Sequence, residues 1–125
     1  MMLVAFASSN GEVIDQHFGW SKQFYLYEIS KDESTFVECR ESQKELEDEK
    51  EKLNYKIESL GGAVILYCTQ IGPTAAKMTQ ASGIHPVRVA EGEGIKEAIE
   101  KLQTMLSEQA PPWLLRIYHK SQAKS

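Results

Sequence analysis

The residues able to do chemistry fall in two stretches. One is Ser8-Ser9 followed by Asp15-Gln16-His17-Phe18-Gly19-Trp20; the other is Cys68-Thr69-Gln70 ahead of Ile71-Gly72-Pro73. A neutral imidazole such as that of His17 ligates metals, or moves protons near neutral pH. A thiol such as Cys68 becomes a ligand once it is a thiolate. Asp15, two residues before His17, is placed to hold one tautomer of the ring. Ser8, Ser9 and Gln16 add hydrogen-bonding groups, and Gly19 adds flexibility to a loop that could carry ligand chemistry. Nitrogen, sulfur and hydrogen-bond donors together suit a metal or a metal–sulfide cluster. Two other readings stay open. His17 could simply bond the backbone of a decorated connection, or it could join Asp15 in hydrolase chemistry.

The totals narrow these classes. With 125 residues the chain fits one domain with a real core. A hydrophobic fraction of 42% and a charged fraction of 26% are ordinary for a globular protein. A net charge of −4 and a pI near 5.4 argue against a general nucleic-acid binder. No apolar run approaches the ~20 residues that cross a bilayer. The N-terminus lacks the basic start and long apolar core of a signal peptide, so the expected location is the cytoplasm. Cys39 and Cys68 form no CxxC pair and are expected to be free thiols. A zinc knuckle and a self-sufficient four-cysteine iron–sulfur site are thereby excluded. Met2–Ala7 carries no carboxylate, so two-metal phosphoryl chemistry lacks its ligands there.

The elements that must position these residues follow from periodicity. Met2–Ala7 is an apolar run that reads as a buried strand, and Asn10-Gly11 marks a turn after it. Gln23–Ile29 and Thr35–Arg40 read as a hairpin around the polar turn 30–34. From Glu41 to Leu60 the pattern is helical, with Leu46, Leu53, Ile57 and Leu60 on one face and a charged run over 44–52. That run reads as a solvated face. Gly61-Gly62 stops the helix. Ala63–Cys68 has the continuous apolar character of a strand buried on both faces. Pro73 suits the first turn of a helix to Ala81. A short strand over 86–90 and a helix over 95–106 follow. Ala110-Pro111-Pro112 breaks that last helix, and the apolar segment 113–120 is expected to dock. The end, 121–125, is expected to fray. No internal repeat is present.

The pattern predicts an α/β fold with a mixed five-stranded sheet and helices on both faces. Right-handed crossovers give the order 3-2-1-4-5 with strand 2 antiparallel, as in ribonuclease H-like folds. Residues 1–110 would form the binding domain and 111–125 a C-terminal tail. In this order the first and fourth strands are parallel neighbours at a switch point, where open α/β sheets bind ligands. The loop bearing His17 and the segment bearing Cys68 then meet at one rim, beside a helix N-terminus that favours anions.

At Asp15-Gln16-His17-Phe18-Gly19, with Tyr67-Cys68, Ile71-Gly72-Pro73 and Pro111-Pro112-Trp113-Leu114, the chain resembles the nitrogenase iron–molybdenum-cofactor biosynthesis proteins. The resemblance runs from Met2 to about Tyr118, and the proline–tryptophan tail points to the family's small carriers. It implies a ribonuclease H-like fold without nuclease carboxylates and a protein that is not an enzyme. Such a protein transiently binds an iron–sulfur precursor of the cofactor and carries or stores it during nitrogenase cofactor biosynthesis. The implied partners are the radical-SAM assembly enzyme that makes the precursor and the scaffold complex that receives it. No nucleic acid or membrane is involved, and a monomer is expected. A regulatory module that binds no cluster is the competing reading.

The resemblance also implies that His17 is a cluster ligand. Cys68 is either a second ligand or a small apolar filler at the end of a buried strand. Ser8, Ser9, Asp15 and Gln16 are expected to orient the loop or bond cluster sulfides, and Gly19 is counted with them among the binding residues. Cys39 is expected to be structural, His85 to serve a turn and His119 to face solvent. Phe18 and Trp20 are read as core rather than as a shield for the cluster.

Overall fold

A computed structural model describes residues 1–42 and 48–123. Strand β1, Met2–Ala7, is apolar at every position and occupies the centre of a mixed five-stranded sheet. It pairs antiparallel with β3 (Gln23–Ile29), Met2 facing Ile29 and Ala7 facing Phe24. On its other side it pairs parallel with β5 (Ile65–Cys68), Val4 facing Ile65. Strand β4 (Ser34–Glu41) is the edge beyond β3, and β6 (His85–Arg88) the edge beyond β5. The β3–β4 register shifts at Leu26/Tyr27, an irregularity that bends the edge.

Burial on both faces explains why β1 and β5 are apolar without alternation. One face packs on α1 (Glu49–Ser59) and α2 (Pro73–Ala81): Ala5, Ala7, Leu26 and Leu66 meet Leu53, Ile57 and Ala75. The opposite face packs on α3 (Ile95–Ser107) and α4 (Pro112–Ala123): Val4, Phe6 and Ile65 meet Ile99, Leu102 and Leu114. Phe6 stacks on Tyr67 at 5.0 Å and meets Tyr27 edge-on at 5.6 Å.

Some expectations need correction. The helix predicted from Glu41 cannot begin there, because Glu41 still belongs to β4, paired with Gln23. The described helix begins at Glu49, where the Asp48 carboxylate accepts from Lys50 N at 3.0 Å. Leu46 and the start of the charged run lie outside the described residues. Pro111-Pro112 does more than break α3, which already ends at Ser107. Pro112 opens α4, and Pro111 O accepts from Leu114 N and Leu115 N at 3.0 Å. Leu114 is fully buried, so residues 113–120 dock as a helix on the sheet.

His85 does not serve a turn. It opens β6, donates its backbone N–H to Val64 O at 2.9 Å, and stacks its ring on Trp113 at 4.0 Å. A two-stranded ladder was also not foreseen: β2 (Val13–Ile14) pairs with β7 (Glu93–Gly94). Strands of two residues leave no alternation to read.

Candidate functional site

The loop between β1 and β3 is held from within by short polar side chains. Ser8 is fully buried, and its hydroxyl accepts from Gly11 N at 2.9 Å and Asn10 N at 3.2 Å. Asn10 Oδ1 accepts from Glu12 N at 2.8 Å and Val13 N at 3.2 Å. Such side-chain bonds to nearby backbone replace the ladder that the loop leaves behind. Gly11 has φ +79°, and a Cβ there would lie 2.8 Å from the Tyr25 ring, so only glycine fits. The β2–β7 ladder fastens the loop's midpoint, with Ile95 N donating to Glu12 O at 2.9 Å.

Asp15 is engaged by Ser9, whose N–H donates to Oδ1 at 2.9 Å and whose hydroxyl donates to Oδ2 at 2.5 Å. Gln16 Nε2 reaches the same carboxylate at 3.4 Å. Asp15 therefore braces the loop, and its bonded partners are Ser9 and Gln16. Gln23, which the sequence did not single out, donates from Nε2 to Ser9 O at 3.1 Å and to the Tyr25 hydroxyl at 3.2 Å.

The two stretches meet where the switch-point argument places them. His17 and Gln70 form a parallel bridge: Thr69 N donates to Gln16 O at 3.0 Å and Phe18 N to Gln70 O at 2.9 Å. His17 O accepts from Trp20 N at 3.1 Å and Ser21 N at 3.0 Å, which turns the chain sharply at Gly19. Buried Lys56 of α1 donates from Nζ to Ser21 O at 2.6 Å. Phe18 points into the core and is fully buried.

Trp20 is not core. It is 73% exposed, and its ring stacks on His17 with centroids 4.5 Å apart and planes 10° from parallel. The half-buried imidazole is thus backed on one face by indole. Beside it, α2 starts at Pro73, and among the described residues no side chain caps its first turn. That leaves backbone N–H groups and a positive dipole end at the rim.

Cys68 lies beneath this rim, not on it. It is fully buried in the core with Ala7, Phe18 and Ala75. Burial pushes its thiol up to about 11, and nearby Arg88 offsets this only in part. At neutral pH it is therefore a thiol, shielded from solvent. Next to it, the Thr69 hydroxyl is buried with no hydrogen-bond partner among the described residues. Cys39 is exposed on edge strand β4, and His119 is exposed on α4. Among the described residues no three His, Cys, Asp or Glu side chains converge on one metal position.

A rim with one stacked imidazole, an uncapped helix start and a braced loop can accept a large anionic group at a single nitrogen. Comparison with known proteins narrows the class. Residues 1–105 match the family model described as dinitrogenase iron-molybdenum cofactor. The chain is 38% identical over 117 residues to Protein NifX of Azotobacter vinelandii, covering 93% of this chain and 74% of that one. It is 34% identical over 125 residues to Protein NifX of Herbaspirillum seropedicae, covering 98% and 86%. Among solved structures, the apo orange protein of Desulfovibrio gigas superposes with a TM-score of 0.64 at 20% identity. That match covers 85% of this chain and 90% of that one, and shows the shared fold.

Proposed function

Because the chain belongs to the dinitrogenase iron–molybdenum cofactor family and so to cofactor biosynthesis, we propose that it carries an iron–sulfur precursor of that cofactor. The cluster is cargo, bound transiently through His17 and passed on unchanged, so the protein acts as a carrier and not as an enzyme. We read the sheet order as that of a ribonuclease H-like fold, with the cargo above the carboxyl ends of β1 and β5.

The observation that best supports this reading is the single imidazole stacked on an exposed indole, on a loop bonded to the end of β5. A cluster that brings its own sulfides needs few protein ligands, and one nitrogen leaves it free to depart. The indole covers one face of the ring and fixes which edge meets iron. The uncapped start of α2 favours the negative charge of the cluster. Cys68 enters only as a reserve donor, since the loop must lift before its thiol can meet iron. The giving and receiving partners in this reading are a radical-SAM assembly enzyme and a cofactor scaffold complex.

Anaerobic incubation with the precursor is the test. The parent protein should gain a brown chromophore stoichiometrically and turn nothing over. His17→Ala should keep the parent melting temperature and lose at least about tenfold in affinity, the scale of one ligand-level interaction. A His17→Ala protein that binds as tightly as the parent would remove His17 from this role. Catalytic conversion of the precursor would indicate an enzyme, and no uptake by the parent a regulatory module.

A further inference from the structure

At the far end of the sheet from His17 lies a second concavity. It has a volume of about 660 Å³ and opens between α4 and the amino ends of β1, β5 and β6. That is within the roughly 300–1,000 Å³ of small-molecule sites. Its apolar wall comes from Leu3, Ala63, Val64, Ile84 and Ile117. Arg116 and Lys120, one helical turn apart on α4, line it from the same side. Among the described residues neither cation makes a hydrogen bond or ion pair. His85 also lines it, its ring held by the stack on Trp113, and the Glu28 carboxylate is among the lining groups.

We propose that this cavity binds a small organic oxyanion, a carboxylate or phosphate on an apolar body, between Arg116, Lys120 and His85. Two unpaired cations over an apolar wall select that combination, because the guanidinium fork matches a two-oxygen head group. The wall takes the body out of water. Burial, and then the positive charge of Arg116, lower the His85 imidazole from its ordinary value and so disfavour its charged form. An anion seated beside Arg116 would offset that charge and return the ring toward protonation.

The test titrates hexyl phosphate and hexanoate into isotope-labelled protein, with hexylammonium and inorganic phosphate as comparison arms. Both alkyl anions should give saturable NMR shifts at Ile84, Ile117 and His85, and raise the pH at which the His85 ring titrates. The tighter of the two identifies the head group. Inorganic phosphate should bind more weakly for want of the apolar body, and hexylammonium should not bind. Arg116→Gln and Lys120→Gln, both at exposed positions, should keep the parent melting temperature. Each should weaken binding about tenfold, the size of one charge-assisted hydrogen bond. The assignment is overturned if neither alkyl anion binds or if hexylammonium binds as well. It is equally overturned if inorganic phosphate matches hexyl phosphate, or if both glutamine variants keep the parent affinity. None of these outcomes depends on whether His17 binds a cluster.

Discussion

In the proposed carrier role, a ligand that both takes and releases iron has to be held in place without being saturated with partners. The His17 backbone is held by its bridge to Gln70, and its ring by Trp20. Trp20→Ala should scarcely change the melting temperature, because the indole is 73% exposed. It should weaken precursor uptake, though less than His17→Ala does; uptake at the parent level would reduce the stack to a surface contact. The thiols differ in the same way. Iodoacetamide at neutral pH should label exposed Cys39 and spare Cys68, whose thiol burial pushes up to about 11. Equal labelling would mean that the loop opens readily enough to bring Cys68 to solvent. The position of Cys68 at a strand end was legible because the apolar run before it is unambiguous, whereas His17 was legible only as a member of the loop that follows β1. Trp20 and His85 were misread because each is defined by a ring contact. Local pattern cannot tell an aromatic turned inward from one laid on a neighbour, and Trp113 is remote in sequence from His85.

At the level of elements, α4 and the β2–β7 ladder were the least readable parts. Proline pairs signal a break and a helix start equally well, and which one holds depends on the surface that waits for Leu114. Since Leu114 is fully buried, Leu114→Ala should cost about 2–5 kcal/mol, measured by denaturant unfolding. Truncation after Gln109 should lower the melting temperature further and leave precursor uptake intact. If the truncated protein melts like the parent but no longer delivers its cargo, α4 is a docking element and not part of the core. Lys56 links α1 to the site through Ser21. Lys56→Ala leaves the buried Ser21 carbonyl unpaired, and should cost about 1–3 kcal/mol while loosening the turn below His17. The long amphipathic and apolar segments were read correctly in kind, because their burial repeats over several turns or residues. The short ladder was invisible for the opposite reason.

For the whole molecule, the end of β5 sets the behaviour in alkali. Burial pushes Cys68 up to about 11 from 9.0, and Tyr67 up to about 12 from 10.0 with help from Glu93. Both are acids that the fold keeps neutral, while the unfolded chain ionises them at the ordinary values. Their contribution is therefore complete below pH 9.0 and is lost as pH rises through the folded values. The melting temperature should fall over that window, and Tyr67→Phe should soften the descent; an unchanged profile in the variant would place its cause elsewhere. The two tryptophans stand toward opposite ends of the sheet, each stacked on a histidine. The chain has no third tryptophan, so each pole carries its own fluorophore. Trp20, open to water, should emit to the red of half-buried Trp113. With Trp113→Phe the remaining emission reports on the His17 pole, and with Trp20→Phe on the His85 pole. Occupancy at one end can then be followed by light while the other end is filled, with no label added.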